Sequence, residues 1–501
     1  MLQLLTSPVP LFIFVVVLLV LAKKADRKWQ ERKFAREHGC LPPPTEPNKD
    51  PILGLDKFQK ILTAARENRI LPLSYGRFQQ NGNTFQSNVL LKRGIHTIEP
   101  KNVQKILALN FNDFEMGKRR KHAFGPLLGS GIFAADGKEW EHSRALLRPS
   151  FTRTRISEVD IYERHLHDLI SRIPQDGSTV DLQELFFCLT LDTATEFLFG
   201  ESVNSLGTGL SVSSSNFAEN FSDAQDGIVH RVRLGSFSWM FPNAKFDNAV
   251  REARSFVGQF VQRGLDYQEK RERKQAPEES YVFLDQLAQQ TTDKTELTDQ
   301  LLNILLAGRD TTASLLSMEF FILARRPDVL KKLRAEISTL DGRPPSFEQL
   351  RDLKYLTWVL NETLRLYPVI PRNVRTAVRD TCLPLGGGPD GNSPVFVKKG
   401  QNITFDVYSM HRRPDIYGPD VDEFKPERWN SVRPGWGYLP FSGGPRICIG
   451  QQFALTEARY TTVRMLQHFS NIESRDSEPW QELLTVTCAS KNGTKVSLTP
   501  A

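Results

Sequence analysis

The sequence predicts one mainly α-helical domain with small β-sheets, preceded by an apolar helix at the N-terminus. Helical periodicity dominates residues 160–367, and short β-like segments flank that region. The chain has 501 residues, with 40% hydrophobic and 25% charged residues, which is ample for one large core. These values exclude a disordered, a collagen-like and a polytopic membrane protein.

The first predicted element is an uncharged apolar helix. Residues 1–22 carry no charged side chain, and residues 11–22 are apolar throughout. About 20 helical residues cross a hydrocarbon layer about 30 Å thick. Basic residues beginning with Lys23 and Lys24 follow this run and none precedes it, which favours a membrane anchor with a lumenal N-terminus over a cleaved signal peptide.

We therefore expect a transmembrane anchor at residues 1–22, a basic and proline-rich linker at 23–50 and a globular catalytic domain at 51–501. The Gly/Ser-rich residues 204–216 are predicted as a surface loop. Helical periodicity is clearest in residues 163–173, 181–198, 247–275 and 298–324. Strand-like segments are residues 84–91, 373–378, 395–397, 402–407 and 495–498.

Charge and cysteine content narrow the function classes. A net charge of +7, without a dense basic segment interleaved with aromatics, gives no indication of nucleic-acid binding. Five scattered cysteines suit a reducing compartment rather than a disulfide framework, and without a CxxC or Cys/His cluster zinc is not expected. Taken singly, four of them are interpreted as structural thiols: Cys40, Cys188, Cys382 and Cys488.

The fifth cysteine lies in the most informative segment, FSGGPRICIG at residues 441–450. Glycines around Cys448 allow sharp turns and close approach to a flat ligand. Backbone N–H groups of such a loop, and the dipole of the helix predicted after it, stabilise a thiolate. A cysteine thiolate can be the axial ligand of a haem iron, whereas the alternative is a buried structural cysteine.

Three further patterns carry polar residues at helical spacing. Residues 307–312 (AGRDTT) place small and polar side chains inside a long apolar helix, where a threonine can bond back to a carbonyl and bend it. Glu362 and Arg365 are neighbours at i,i+3, and Trp140 and Arg144, one turn apart, are two donors that suit a carboxylate. In isolation, the first pattern would be only a helix kink and the second only a surface pair.

The pattern FxxGxRxCxG resembles the haem-binding signature of the cytochrome P450 superfamily, and the other three motifs occur in the order which that family requires. The resemblance implies the P450 fold and haem b, iron protoporphyrin IX, with Cys448 as axial ligand. It implies that Asp310 and Thr311 relay protons to iron-bound dioxygen. Ala307 and Gly308 would leave a groove for O2.

The resemblance also implies roles for the remaining motif residues. Glu362 and Arg365 would join Arg428 in a structural cluster that fixes the cysteine segment. The residues implied around the haem and its propionates are Trp140, Arg144, Arg375, Phe441 and Arg446. For Arg375 a surface cation is an equal alternative, and the ligand candidates His122, His142 and His411 apply only if Cys448 is not the ligand.

The sequence has no GxGxxG following a strand, so electrons must come from a partner. The resemblance implies an NADPH-cytochrome reductase, with cytochrome b5 as a second donor, at the endoplasmic reticulum membrane. Arg148, Arg153 and Arg155 are candidates for steering an acidic partner.

Longer strings, such as YSMHRRPDIYG at residues 408–418, resemble fungal n-alkane and fatty-acid hydroxylases. The resemblance implies hydroxylation of a long alkyl chain in a fatty acid, an alkane or a secondary metabolite. The alternatives are tailoring of a polyketide or terpenoid, rearrangement of an oxygenated substrate, and a non-catalytic haem-binding sensor or electron carrier. The aromatic residues 237–242 are interpreted either as a membrane-dipping segment or as core.

Overall fold

The computed structural model describes residues 8–50, 53–151, 157–207, 212–273 and 283–501. The helices are α1 (Pro8–Glu37), α2 (Leu55–Arg66), α3 (Ile70–Asn81), α4 (Pro100–Gln104), α5 (Lys118–Leu128), α6 (Gly137–Leu147), α7 (Asp160–Ser171), α8 (Leu182–Phe199), α9 (Val212–Leu234), α10 (Ala244–Glu272), α11 (Phe283–Ala288), α12 (Lys294–Leu323), α13 (Pro327–Ile337), α14 (Phe347–Asp352), α15 (Lys354–Leu366), α16 (Val407–Met410), α17 (Pro414–Tyr417) and α18 (Gln451–His468). The strands are β1 (Thr84–Val89), β2 (Lys92–Thr97), β3 (Phe114–Glu115), β4 (Val180–Asp181), β5 (Arg372–Ala377), β6 (Thr381–Gly387), β7 (Ser393–Val397), β8 (Asn402–Asp406), β9 (Phe469–Ser474), β10 (Glu482–Leu484), β11 (Cys488–Ser490) and β12 (Lys495–Pro500). The prediction of a mainly helical protein with small sheets is confirmed.

The chain divides into two compact units. The sheet unit comprises Met1–Phe58, Gly76–Glu115 and Val374–Phe405, as far as these residues are described. Its main sheet has the strand order β1-β2-β8-β5-β3, with β2 parallel to β8 and the β1–β2 and β3–β5 pairs antiparallel. A separate antiparallel hairpin, β6–β7, completes the unit.

The helical unit contains the rest of the described chain and is organised around α12. Asp293 caps the start of this helix, because its side chain accepts hydrogen bonds from the N–H groups of Thr295 and Glu296. The helix is buried almost all round and packs against α8, α10 and α18. Such a helix is central to the core, so most polar residues after its first turn lie inside the protein.

One local prediction is wrong. Residues 212–216 were predicted as part of a Gly/Ser-rich loop, yet they form the start of α9. Residues 208–211 lie outside the described chain. Residues 212–216 (VSSSN) contain no glycine, and serine lowers helix propensity only modestly, so the amphipathic residues that follow extend the helix back through them.

Helix α1 runs without a break from Pro8 to Glu37, through both the apolar run and the basic residues that follow. Large apolar side chains from Phe12 to Leu21 are 41–70% exposed. Among the residues that the structure describes, no helix meets the length and apolarity required to cross a bilayer. The anchor predicted at residues 1–22 falls partly outside the described chain and stays a prediction.

Candidate functional site

The backbone of the loop that carries Cys448 depends on two of its glycines. Gly444 has φ +67°, in the left-handed region. A Cβ on Gly443 would lie 2.7 Å from the Trp436 ring, so that position excludes any side chain. The loop is closed by a hydrogen bond of 3.0 Å from the Cys448 N–H to the Phe441 carbonyl. The sulfur is therefore held at a fixed place directly before α18.

The Cys448 side chain is accessible at its surface, although its thiol is embedded among protein atoms of the helical unit. Burial raises the pKa of the thiol, and this is the largest effect on it. The backbone N–H of Gly450 and the guanidinium of Arg144 act in the opposite direction, because both stabilise a thiolate. We interpret these two contacts as preparation of the sulfur for a cationic partner such as iron.

A cluster of cations lies beside this loop. The Arg446 guanidinium sits 4.5 Å from the centre of the Trp140 ring, and that of Arg144 sits 5.8 Å from the same ring. Arg446 donates to Asp136 Oδ1 at 2.8 Å, and Arg144 donates to the Ile447 carbonyl at 3.0 Å. The structure thus brings together three of the predicted propionate partners, from α6 and from the cysteine loop.

Arg120 on α5 belongs to the same cluster, and sequence reasoning missed it. Burial and repulsion from Arg446 lower the pKa of Arg120 to about 10. Burial likewise lowers the pKa of Arg446 to about 10, with a further contribution from Arg144. Asp136 is the acidic residue that opposes both shifts. Arg120 and Arg446 face the single carboxylate of Asp136 and Arg144 lies beside Arg446, so the cluster carries excess positive charge that suits an anionic ligand.

The polar segment of α12 makes one hydrogen bond within the helix and packs closely against α8. Thr311 Oγ1 donates back to the Ala307 carbonyl at 2.7 Å, within α12. The missing Cβ of Gly308 would lie 3.4 Å from the Cβ of Ala194 on α8, so this glycine permits close packing of the two helices. Whether Ala307 and Gly308 also shape a groove for O2 stays a prediction.

Asp310 is a buried carboxylic acid at the middle of α12, with 3% of its surface exposed. Arg309 Nη1 lies 3.3 Å from Asp310 Oδ1, and Arg309 Nη2 donates to Ser222 Oγ on α9 at 3.1 Å. Burial raises the pKa of Asp310 to about 6, and the Arg309 charge only partly offsets this. The carboxyl can therefore exchange a proton close to neutral pH.

Glu362 on α15 is the centre of a buried ion cluster. Arg365 binds it through two hydrogen bonds of 2.8 Å, and Arg428 Nε lies 3.3 Å from it. Trp429 Nε1 and the Lys425 N–H also donate to the carboxylate, at 3.1 and 3.0 Å. Glu362 and Arg365 are fully buried, and Arg428 is 6% exposed. The structure brings the three residues together, with every contact at hydrogen-bond distance.

His411 connects this cluster to the cysteine loop. Its Nε2 accepts from the Leu439 N–H at 2.9 Å, so its Nδ1 carries the proton and donates to the Arg365 carbonyl at 3.2 Å. Burial and the neighbouring arginines lower the pKa of His411 to about 3, so the ring is neutral. Both nitrogens are used by the backbone, which leaves His411 no lone pair for iron.

The other histidine candidates are also engaged. His122 Nε2 lies 2.8 Å from Ser238 Oγ, and His142 Nε2 lies 2.7 Å from Glu296. Arg375 belongs to the sheet unit, where it is 4% exposed and sits 5.6 Å from the Phe405 ring. Phe441 packs against the main core of the helical unit.

The comparisons with known proteins decide the family. The family model described as Cytochrome P450 matches residues 60–495. The chain is a cytochrome P450. It is 47% identical over 476 residues to Cytochrome P450 monooxygenase himC of Aspergillus japonicus, an alignment that covers 94% of this chain and 85% of that protein. It is 44% identical to Cytochrome P450 52A13 of Debaryomyces hansenii, in an alignment that covers 93% of both proteins. It is 42% identical to Cytochrome P450 52A5 of Candida maltosa, in an alignment that covers 91% of both.

This P450 is therefore a monooxygenase whose family cofactor is haem with an axial cysteine thiolate. The donor set fits that group: the Cys448 thiol has two neighbours that stabilise a thiolate, and a cation cluster with excess charge lies beside it. The predictions of family, enzyme class and cofactor are confirmed.

Proposed function

We propose that this P450 uses O2 and electrons from NADPH to hydroxylate a long alkyl chain of a lipophilic substrate. The observation that carries the catalytic part is the buried carboxyl of Asp310, adjacent in sequence to Thr311, on a helix that packs against α18. A contact of 2.9 Å between Thr462 on α18 and Glu319 on α12 joins the two helices directly. A protein that only binds haem has no need of an ionisable acid in the apolar core.

The cofactor residues follow from the site. Cys448 would hold the iron, and the propionates would bind Trp140, Arg144, Arg446 and Arg120. Haem with a thiolate ligand supplies O2 activation when bound, because the sulfur donates electron density that favours O–O cleavage. The Glu362 cluster would act at a distance, by fixing the backbone that presents Cys448.

The residues of α12 supply proton transfer. With a pKa of about 6, Asp310 is mostly ionised at neutral pH and can take up a proton at Oδ. Arg309 holds this carboxyl in place and is itself tied to α9 through Ser222. Thr311 uses its proton in the bond to Ala307, so its oxygen retains lone pairs that can accept a proton. The pair would move one proton at a time toward the reaction site without admitting bulk water.

The substrate proposal rests on apolar surface and on the relatives. Trp239, Met240 and Phe241 are 74%, 54% and 55% exposed, which is unusual for adjacent large apolar residues. Next to them lies a cavity of about 170 Å³ with a mixed lining, in which Trp239 and Phe241 are joined by polar residues such as Arg231 and Asp247. An exposed aromatic segment of this kind suits contact with lipid, from which an alkyl substrate could be drawn.

The same reasoning extends to location and partners. The exposed apolar part of α1, followed by basic residues, supports a single-pass anchor in the endoplasmic reticulum membrane with a cytosolic catalytic domain. Electrons would come from an NADPH-cytochrome reductase, with cytochrome b5 as a second donor. Arg148 is exposed and available for steering such a partner, whereas Arg153 and Arg155 lie outside the described residues.

The decisive experiment is product analysis. Microsomes containing this protein and a reductase would be given NADPH with fatty acids, n-alkanes, and polyketide or terpenoid candidates, and the products would be identified by mass spectrometry. The expected product carries one added oxygen on an alkyl chain, and Cys448→Ser microsomes make none. Oxidation of only the polyketide or terpenoid candidates would select the tailoring alternative. Haem-loaded protein that consumes no NADPH with any substrate would overturn the proposal in favour of a binding protein.

A further inference from the structure

Two cysteines that are far apart in sequence are neighbours in the sheet unit. Cys40 follows the end of α1, and Cys382 lies on β6. Both are partly exposed free thiols, and their side chains interact directly with each other. This pairing distinguishes them from Cys188 and Cys488, for which no such partner is found among the described residues.

The end of α1 places Cys40. Gly39 adopts φ +62°, and the Cys40 N–H bonds to the Ala35 carbonyl at 2.7 Å, which is the geometry of a Schellman cap. The next residue is fixed as well, because the Leu41 N–H donates to the Pro394 carbonyl at 2.8 Å. Cys40 is thus held against the β6–β7 hairpin by backbone bonds on both sides.

The register of the hairpin places Cys382 on the matching face. Cys382 pairs with Phe396 across the antiparallel ladder, so the two side chains share one face. Phe396 packs against Phe34 of α1, with ring centres 5.6 Å apart. Cys382 therefore points to the side of the hairpin on which α1 and Cys40 lie.

A cation completes the arrangement. Lys105, in the single π-helical turn after α4, places its Nζ 3.3 Å from the Cys382 sulfur. An ammonium group at this distance stabilises a thiolate, which is the nucleophilic form of cysteine. Burial and the neighbouring Cys382 raise the pKa of Cys40 to about 11, although the charge of Lys105 acts in the opposite direction, so Cys40 keeps its proton. The Cys382 sulfur is therefore suited to attack an oxidant, and the Cys40 sulfur is suited to attack the oxidised Cys382.

We propose that Cys40 and Cys382 form a redox-active dithiol that hydrogen peroxide converts into a disulfide, fastening the end of α1 to the β6–β7 hairpin. The Cys382 thiolate attacks one peroxide oxygen, the O–O bond breaks, and the leaving hydroxide takes a proton to become water. The Cys40 sulfur then attacks the resulting sulfenic acid, the S–O bond breaks, and the Cys40 proton leaves with that oxygen as a second water. Both sulfurs are oxidised and one peroxide is reduced to two waters.

Peptide mapping tests the bond. Full-length haem-loaded protein would be treated with hydrogen peroxide, alkylated, and digested with trypsin without reductant. The expected result is a cross-linked pair of peptides, residues 37–49 joined to residues 380–398, which separates on reduction. The pair is expected to be absent from Cys40→Ser and Cys382→Ser and unchanged in Cys188→Ser. Sulfonic acids on these thiols without a cross-link, or links only between two chains, would overturn the proposal.

Kinetics test the role of the lysine. In Lys105→Met, loss of the ammonium group that contacts the Cys382 sulfur is expected to slow disulfide formation roughly threefold. Lys105→Arg keeps the charge and is expected to keep the rate. The carbon-monoxide difference spectrum verifies that each variant is folded and haem-loaded. An unchanged rate in Lys105→Met would refute the assigned order of attack.

Discussion

The Glu362 cluster gives the sharpest quantitative prediction. Glu362→Gln keeps the shape of the side chain and removes the negative charge that accepts five hydrogen bonds, three from the buried Arg365 and Arg428 and two from Trp429 and the Lys425 N–H. Breaking a buried ion pair from one side costs about 3–5 kcal/mol, because it leaves the partner charges uncompensated. A whole domain is stable by only about 5–15 kcal/mol. We therefore expect a large loss of stability and of haem retention.

The assay combines thermal unfolding with the reduced carbon-monoxide difference spectrum, which reports the haem-thiolate fraction. The matched control is Asp328→Asn, since Asp328 pairs with Arg326 at the surface and such pairs contribute about 0–1 kcal/mol. The fraction of Glu362→Gln that retains haem is expected to turn over normally, because Glu362 touches only structural partners. Wild-type haem content and an unchanged unfolding midpoint in Glu362→Gln would show that the cluster does not support the cysteine loop.

Three further predictions concern single residues. His411→Ala leaves the Leu439 N–H without its acceptor, at a cost of about 1–3 kcal/mol. Haem transfer to apomyoglobin is therefore expected to accelerate, with partial rescue in His411→Asn. An unchanged transfer rate would disprove that His411 connects the Glu362 cluster to the cysteine loop. Arg120→Met is expected to lose haem roughly tenfold faster, as removal of a charged contact implies, whereas Arg119→Met serves as the neighbouring control. Asp310→Asn is expected to lower turnover roughly a hundredfold and to abolish the rise of activity with pH near 6. Because the pKa of Asp310 is raised on folding from 3.8, its contribution to stability declines as pH rises from about 3.8 through about 6, and urea unfolding of Asp310→Asn should lack that decline.

The long elements could be predicted because their signal is repeated many times along the chain. Helix α12 was predicted at residues 298–324 and is observed at Lys294–Leu323. Its apolar periodicity fixed the body of the helix, while its start depends on a single capping residue, Asp293. By contrast, Leu90 and Leu91 were predicted as strand residues, yet they form the two-residue turn between β1 and β2 with φ values of 49° and 64°. Leucine is rare in such turns, and the turn is held by a hydrogen bond of 2.7 Å from the Leu90 N–H to the carbonyl of Leu53, which is distant in sequence.

The site was predictable to the extent that its residues sit in local motifs. Arg120 escaped detection because it is one of four consecutive basic residues in KRRK at positions 118–121, and no spacing rule distinguishes the one turned inward. His411 was considered only as a metal ligand, since its role as a bridge between two backbone groups depends on where distant segments meet. The contact between Cys40 and Cys382 has the same origin, because only the folded sheet unit brings them together.

The unbroken course of α1 has a mechanical consequence. Its 30 residues make a rod about 45 Å long at about 1.5 Å per residue. The C-terminal half of this rod is held to the β6–β7 hairpin by the Phe34–Phe396 contact and by an ion pair between Arg27 and Asp380, the residue before β6. A flexible tether would let the hairpin swivel freely, whereas a clamped rod transmits its own tilt. If the N-terminal half of α1 is embedded in lipid, the angle between α1 and the bilayer determines the orientation of the hairpin relative to the membrane surface.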